Sequence, residues 1–164
     1  MTITKYAKSI TYGGLDGIIT TFAVVAGAIG GKLGVTAIII LGFSNLLADG
    51  FSMAAGDYLS STTEDGTNSK QALKNALMTF LSFNLFGLVP LLAYLFLIKI
   101  ATFTDQITLI LASILVSLAL LALGWVKATI TGQSKKVEIL RTLLVGIIAA
   151  GVAYGIGQLL GGLV

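Results

Sequence analysis

The 164-residue sequence contains no cysteine and no histidine. Without cysteine, the chain can form neither disulfide bonds nor thiolate metal sites. Without histidine, it lacks the commonest transition-metal ligand and the usual proton carrier at neutral pH. Any metal or proton chemistry must therefore use carboxylates, amides, hydroxyls, thioethers and backbone carbonyls.

Charge is also scarce, because only 10% of the residues are charged whereas 56% are hydrophobic, and the mean hydropathy is +1.00. Soluble domains carry about a quarter charged residues, so this composition indicates an integral membrane protein whose surroundings are a lipid bilayer. The single proline and the 20 glycines suit close-packed transmembrane helices. The basic residues are scattered without an aromatic-rich patch, which argues against a nucleic-acid partner.

Enzymatic signatures are missing as well. The sequence contains no GxxxxGK[ST] phosphate loop, no HExxH and no GxSxG, and without histidine the usual catalytic triads cannot form. We therefore predict neither an enzyme nor an ATP-driven pump, and no resident cofactor. Secondary transport and a channel are the functions left open.

Five apolar segments are long enough to cross a bilayer, since a membrane helix needs about 20 residues for a hydrocarbon core of roughly 30 Å. The predicted spans are residues 15–31, 35–59, 72–98, 106–127 and 139–160. We predict an all-α integral membrane protein whose single five-helix domain covers residues 1–164. Thr104 or Asp105 is expected to cap the fourth helix, and Pro90 to kink the third.

The loops differ in charge, and this difference predicts the orientation. Lys32 and Lys99 are the only basic residues on one side of the predicted bundle. The eight on the other side are Lys5, Lys8, Lys70, Lys74, Lys127, Lys135, Lys136 and Arg141. Because positive residues favour the cytoplasm, we expect a cytoplasmic N-terminus and a C-terminus outside or in a lumen.

A polar stripe runs along the second span, where Asn45, Asp49, Met53 and Asp57 recur every four residues. On a helix such residues share one face and lie about 6 Å apart along the axis. A charge at bilayer depth usually faces a bundle interior or a watery cavity. We expect the stripe to bind a metal ion, and Asp49 most clearly, since it lies well inside the span without a basic neighbour in sequence.

Two members of the stripe have simpler alternatives. Asp57 could be solvated at the cytoplasmic interface, and Met53 could fill a gap in the core. In the following loop, Glu64 and Asp65 could attract cations or merely keep the loop soluble. A helix stop is predicted near Asp65 and Gly66.

Asp16 is the only acidic residue of the first span, and Thr20 shares its predicted face. It could line an ion path, or it could complement the helix dipole as a residue of the first turn. Carboxylate and amide oxygens with one thioether suit a weak site for Fe²⁺ or Mn²⁺ that can release its ion. The expected metal ligands are thus Asp16, Asp49, Met53, Asn45 and Asp57.

The motifs "DGIITTFAVVAGAIGG" and "NLLADGFSMAAGDYLS" resemble the paired signature of the vacuolar iron transporter family, to which the yeast vacuolar iron/manganese carrier and plant nodulin-21-like proteins are related. "FGLVPLL" and "AGVAYGIGQLLG" are similar to later motifs of that family. The resemblance implies a homodimer of five-helix subunits with the ion pathway at the subunit interface, and export of Fe²⁺ or Mn²⁺ from the cytosol in exchange for protons. Asp16 and Met53 match the positions of the family's in-membrane metal site.

The sequence departs from the family at two places. Iron-storing members carry a glutamate-rich helical insertion between the second and third spans, where this chain has only about a dozen residues. Those members also have an acidic residue near the position of Asn45 and a small residue at that of Asp49. The carboxylate is thus displaced by one turn, which leaves the choice between Fe²⁺ and Mn²⁺ open.

These observations predict a homodimeric Fe²⁺ or Mn²⁺/proton antiporter. The expected location is the plasma (inner) membrane of a prokaryote rather than a vacuolar membrane. The alternatives are a passive divalent-cation channel and a non-transporting membrane scaffold whose polar stripe only holds helices together.

Overall fold

The computed structural model describes residues 2–63, 68–100 and 104–163, with side chains from Tyr6 onward. The described residues form five helices: α1 (Thr2–Gly30), α2 (Val35–Thr63), α3 (Ser69–Ile100), α4 (Asp105–Thr131) and α5 (Lys135–Gly161). Each is long and apolar enough to cross a membrane. The prediction of an all-α protein with five membrane-spanning helices is confirmed.

The helices extend beyond the predicted spans, and the difference is largest in α1. This helix begins at Thr2, whereas the first predicted span begins at residue 15. Asp16 therefore lies about four turns inside the helix rather than in its first turn. The interpretation of Asp16 as a residue that complements the helix dipole is wrong, because that effect is confined to the first turn.

Three local sequence signals concern helix ends and bends: the cap of α4, the proline of α3 and the stop after α2. Thr104 is the N-cap of α4, and its hydroxyl accepts a hydrogen bond from the backbone N–H of Ile107 at 3.4 Å. This confirms one of the two predicted caps. Pro90 lies inside α3, which continues to Ile100, and its predicted kink stays a prediction. The predicted stop near Asp65 lies outside the described residues.

α1 is the central helix of the bundle and contacts the other four. Around it, α2 packs against α3, α3 against α4, and α4 against α5. Within the described parts of the chain α2 and α5 do not contact each other, so these four helices form an arc that is open between α2 and α5. One face of α1 is left partly uncovered in this opening.

Close packing around α1 depends on residues without a side chain. A Cβ on Gly17 would overlap the backbone of Phe83 in α3, and one on Gly157 would overlap the carbonyl oxygen of Gly27. Phe83 is itself fully buried and belongs to a core that α1, α2 and α3 share. Small residues allow transmembrane helices to approach this closely, so their backbones make the contacts.

The outer surface is apolar. Large side chains such as Phe51, Leu118 and Leu159 are exposed on α2, α4 and α5. Hydrocarbon chains solvate such a surface, whereas water does not, so the surface suits a bilayer. The chain is an integral membrane protein by helix length, composition and surface.

Candidate functional site

The polar stripe of α2 lies at the edge between the packed and the open faces of that helix. Asn45, Asp49, Met53 and Asp57 are all half-buried. The residues that immediately precede the last three members, Ala48, Ser52 and Gly56, are exposed. The four predicted side chains are thus accessible from one side and supported by the bundle on the other.

Asp16 and Asp49 lie within Coulomb range of each other although they belong to different helices. Both are half-buried, and the charge of Asp49 acts on the Asp16 carboxyl group. Among the described residues, no side chain donates a hydrogen bond to either carboxylate, and none forms an ion pair with it. The hydroxyl of Thr20 donates its hydrogen bond to the backbone carbonyl of Asp16, at 2.8 Å. Two carboxylates within Coulomb range of each other, neither of them bonded by a protein donor, favour a nearby cation.

Asn45 lies one turn from Asp49 and has an unsatisfied polar group. Its amide nitrogen is buried and has no hydrogen-bond partner among the described residues. Leaving such a donor unpaired costs about 1–3 kcal/mol, so the site is expected to satisfy it with another group or with water. The amide nitrogen cannot bind a cation, but the side-chain oxygen of the same amide can.

Met53 has two environments. It packs against the core cluster that contains Leu46 and Phe83, and it also lines a cavity together with Asp57. Gap-filling therefore describes one side of Met53, while the other side is available to a soft metal ion. Its role as a ligand stays a prediction.

Asp57 joins three helices. Its Oδ2 atom accepts a hydrogen bond from Ser9 of α1 at 3.1 Å and another from Thr79 of α3, while Oδ1 accepts a longer one from Ser61 at 3.4 Å. The alternative that Asp57 is merely solvated is wrong, because the carboxylate is half-buried and held by hydroxyl groups. Charge-assisted hydrogen bonds of this kind fix the position of a carboxylate.

A cavity of about 420 Å³ lies beside Asp57, between α1, α2 and α3. The residues that α1 and α3 contribute each carry a polar group, and the predicted site did not include them. The lining residues are Lys8, Ser9, Tyr12, Met53, Gly56, Asp57, Ser60 and Thr79. The spacing within one helix could not identify Ser9 or Thr79, because helix packing alone places them opposite Asp57.

The predicted acidic ligands do not form one cluster in the described part of the chain. Across the described ranges, no three acidic side chains come close enough to hold a metal ion together. Asp16 and Asp49 lie within Coulomb range of each other, whereas Asp57 lines a cavity to which neither of them contributes. Glu64 and Asp65 lie outside the described residues, so their expected influence on cations stays a prediction.

A second charged cluster connects α4 and α5. The buried carboxylate of Glu138 lies 2.6 Å from Nζ of Lys127 and 3.1 Å from Nη1 of Arg141. Nearby, Lys135 lies over the ring of Trp125 at 5.2 Å from its centre. The charge pattern of the sequence assigns these basic residues to membrane orientation. In the structure Lys127 also links α4 to Glu138 of α5, whereas Arg141 bonds Glu138 within α5 itself.

Comparison with known proteins places the chain in a family. The sequence model of the VIT family matches residues 7–71 and 63–158. The vacuolar iron transporter of Plasmodium falciparum is 28% identical over 222 aligned positions, which cover 93% of this chain and 81% of that protein. Vacuolar iron transporter homolog 4 of Arabidopsis thaliana is 27% identical over 173 positions, which cover 96% and 85%.

A shorter match has higher identity. The vacuolar iron transporter of Toxoplasma gondii is 46% identical over 63 residues, which are 38% of this chain and 21% of that protein. The two segments matched by the family model meet at residues 63–71, between α2 and α3. The alignment with the Plasmodium protein is longer than this chain, so that relative contains residues that have no counterpart here. Because the matches extend over nearly all five helices, we conclude that the chain belongs to the VIT family.

Proposed function

We propose that the protein transports Fe²⁺ or Mn²⁺ out of the cytosol in exchange for protons. The observation that carries this proposal is that α1 and α2, two helices long enough to span a membrane, place the half-buried carboxylates Asp16 and Asp49 within Coulomb range of each other. Several relatives are named vacuolar iron transporters, which supports a metal ion as the substrate.

The pair requires a mobile positive charge. In the described parts of the chain, the ion pairs of acidic side chains are those of Glu138, and no lysine or arginine reaches Asp16 or Asp49. Two like charges at bilayer depth are costly to keep uncompensated. A divalent cation compensates both, and protons can replace it when the ion leaves. This alternation is the physical basis for antiport.

The available ligands favour an ion that accepts both oxygen and sulfur. Asp16 and Asp49 supply carboxylate oxygens, Asn45 supplies an amide oxygen, and Met53 lies one turn further along α2 with a thioether. Oxygen donors with one soft sulfur suit Fe²⁺ or Mn²⁺ better than Mg²⁺ or Ca²⁺. The absence of imidazole and thiolate also favours weak binding, which a transporter needs in order to release its ion.

A homodimer would complete the pathway. The face of α1 that is open between α2 and α5 carries Asp16, Thr20 and Gly27, which are all partly exposed. Next to it lies an apolar depression of about 330 Å³ lined in part by Val24 and Ile156. A second subunit placed over this opening would bring two Asp16–Asp49 pairs to one axis and supply the ligands that one subunit lacks.

The orientation follows from charge. The starts of α1, α3 and α5 and the ends of α2 and α4 lie at one end of the bundle, and this end carries the eight basic residues counted above. Positive residues favour the cytoplasm, so metal would enter at this end and leave at the other. Placement in the inner membrane of a prokaryote stays a prediction.

Flux measurements in proteoliposomes test the proposal. The purified protein is expected to move Fe²⁺ or Mn²⁺ and to change the internal pH as the metal moves, and Asp16→Ala and Asp49→Ala are expected to abolish both signals. Asp105→Ala, which removes an exposed carboxylate at the start of α4, is the matched control and should retain flux. Normal metal flux in both Asp16→Ala and Asp49→Ala would contradict the proposal.

The same assay separates the alternatives. A passive channel would carry metal without any coupled change in internal pH. A membrane scaffold would show neither flux nor metal binding, and Asp49→Asn would then impair only assembly.

A further inference from the structure

Lys8 and Asp57 line the same cavity from opposite helices. Lys8 is exposed, and in the described part of the chain no ion pair joins it to Asp57. The groups that do bond Asp57 are the neutral hydroxyls of Ser9, Ser61 and Thr79, which hold the carboxylate without neutralising it. The cavity thus contains one fixed negative charge and one positive charge on a flexible stem.

The cavity is large enough for a hydrated ion. A water molecule occupies about 30 Å³ in the liquid, so the six waters of an octahedral shell need roughly 180 Å³. The cavity measures about 420 Å³. Hydroxyl groups of Tyr12, Ser60 and Thr79 on its wall can exchange hydrogen bonds with such a shell.

We propose that this cavity is an entrance vestibule for hydrated divalent cations, and that Lys8 is the residue that excludes monovalent ions from it. The ammonium group of Lys8 is a tethered competitor for the carboxylate of Asp57. Because the ammonium group is tethered, its local concentration near Asp57 is high. A monovalent cation gains no more Coulomb energy at Asp57 than this ammonium group already does, so it cannot displace the group efficiently. A divalent ion gains about twice as much and displaces the ammonium, which swings into water on its four-carbon stem.

The vestibule leads toward the carboxylate pair, and in this respect the inference rests on the proposed function. Met53 lies on the wall of the vestibule, and Asp49 is one helical turn, about 6 Å, further along the same face of α2. An ion that leaves Asp57 therefore meets Met53 next and the Asp16–Asp49 pair after it. The step from Asp57 to Met53 is where the ion would exchange its waters for protein ligands.

The first test is Mn²⁺ flux at low and high potassium chloride. Lys8→Gln is expected to retain flux but to become sensitive to salt, with an apparent KM that rises about two- to fivefold between the two conditions beyond any rise seen in the unaltered protein. Lys8→Arg keeps the tethered charge and should behave like the unaltered protein. Lys70→Gln removes an exposed lysine at the same end of the bundle but outside the cavity, and is the matched control. Equal salt responses for Lys8→Gln and Lys70→Gln would overturn the inference.

The second test separates the vestibule from the transport proposal. In the Asp16→Ala/Asp49→Ala background, Mn²⁺ binding is followed through the loss of the electron paramagnetic resonance signal of hydrated Mn²⁺. Residual binding is expected, and adding Lys8→Gln should tighten it about two- to fivefold at low salt. Adding Asp57→Asn should remove it. If the unaltered protein showed no metal flux but this residual binding persisted, the transport proposal would be contradicted while the vestibule would stand. The vestibule would be overturned, even with normal flux, if no residual Mn²⁺ binding were found. It would also be overturned if Lys8→Gln and Asp57→Asn left that binding unchanged.

Discussion

Asp16 of α1 and Asp49 of α2 lie close enough that the charge of one acts on the other. Nothing in the sequence around either residue predicts that the two lie near each other. Both side chains are half-buried within apolar helices. Because of this Coulomb coupling, the properties of the site should depend on both carboxylates together.

We first predict that the two carboxylates act non-additively in metal binding. Asp16→Asn and Asp49→Asn are each expected to weaken Mn²⁺ binding at least about tenfold, and the double variant should be little worse than either single one. The reason is that one remaining carboxylate cannot hold the ion alone. Isothermal titration of the detergent-solubilised protein measures the three affinities. Additive losses would show that the residues bind independently, and Asp105→Asn serves as the control for loss of a carboxylate.

The second prediction concerns the hydroxyl groups around Asp57. Thr79→Val removes a donor to the half-buried carboxylate and should lower the free energy of unfolding by roughly 1–3 kcal/mol. Thr129→Val is the control, because Thr129 is exposed and its hydroxyl bonds only the carbonyl of Trp125 in its own helix. Thermal unfolding of both variants in detergent makes the comparison. Equal stability of the two would mean that the bond between Thr79 and Asp57 contributes nothing.

A third prediction compares two glycines of α5. Gly157→Ala should destabilise the protein, because the new methyl group would overlap the carbonyl oxygen of Gly27 in α1. Gly155→Ala should be neutral or stabilising by up to about 1 kcal/mol, since its Cβ would meet nothing within 4 Å and alanine favours the helix. Of the two variants, only Gly157→Ala should lower the thermal transition. Equal destabilisation would argue against the close α1–α5 contact.

The fourth prediction tests the dimer and uses the lack of native cysteine. Ala23→Cys lies on the partly uncovered face of α1 and is expected to form a disulfide-linked dimer in membranes under mild oxidation. The bond requires Cα atoms within about 7 Å, a distance that a two-fold axis beside this face provides. Leu118→Cys is the control, because it is exposed on the outer surface of α4 and should stay monomeric. Non-reducing electrophoresis detects the product, and equal cross-linking at both positions would point to random collision.

The fifth prediction concerns the cluster between α4 and α5. Glu138→Gln leaves Lys127 and Arg141 without their shared carboxylate, so the thermal transition should fall. Lys136→Gln, an exposed neighbour, should leave it unchanged. The same pair of variants should have similar metal flux per folded molecule, because Glu138 lies on α5, where it faces α4, and does not line the Asp57 cavity. A selective loss of flux in Glu138→Gln at full stability would assign this cluster a role in transport.

The amino-acid sequence by itself determined the five helices, the membrane environment and the polar stripe. Apolar runs of bilayer length leave few structures other than helices, because every backbone group must find its hydrogen bond within the segment. The residues from Asn45 to Asp57 recur every four positions, so helix geometry alone places them on one face. Local signals also sufficed for the cap at Thr104.

Only the tertiary structure decided which helices meet and what each polar residue faces. It shows that α1 begins at Thr2, so that Asp16 lies well inside this helix, and that Asp49 is within Coulomb range of Asp16. It also put Ser9 and Thr79 against Asp57, where the sequence left open a solvated side chain. These relations depend on packing between helices, which glycines such as Gly17 set by backbone contact. Spacing along one helix contains no information about the neighbour that packs against it.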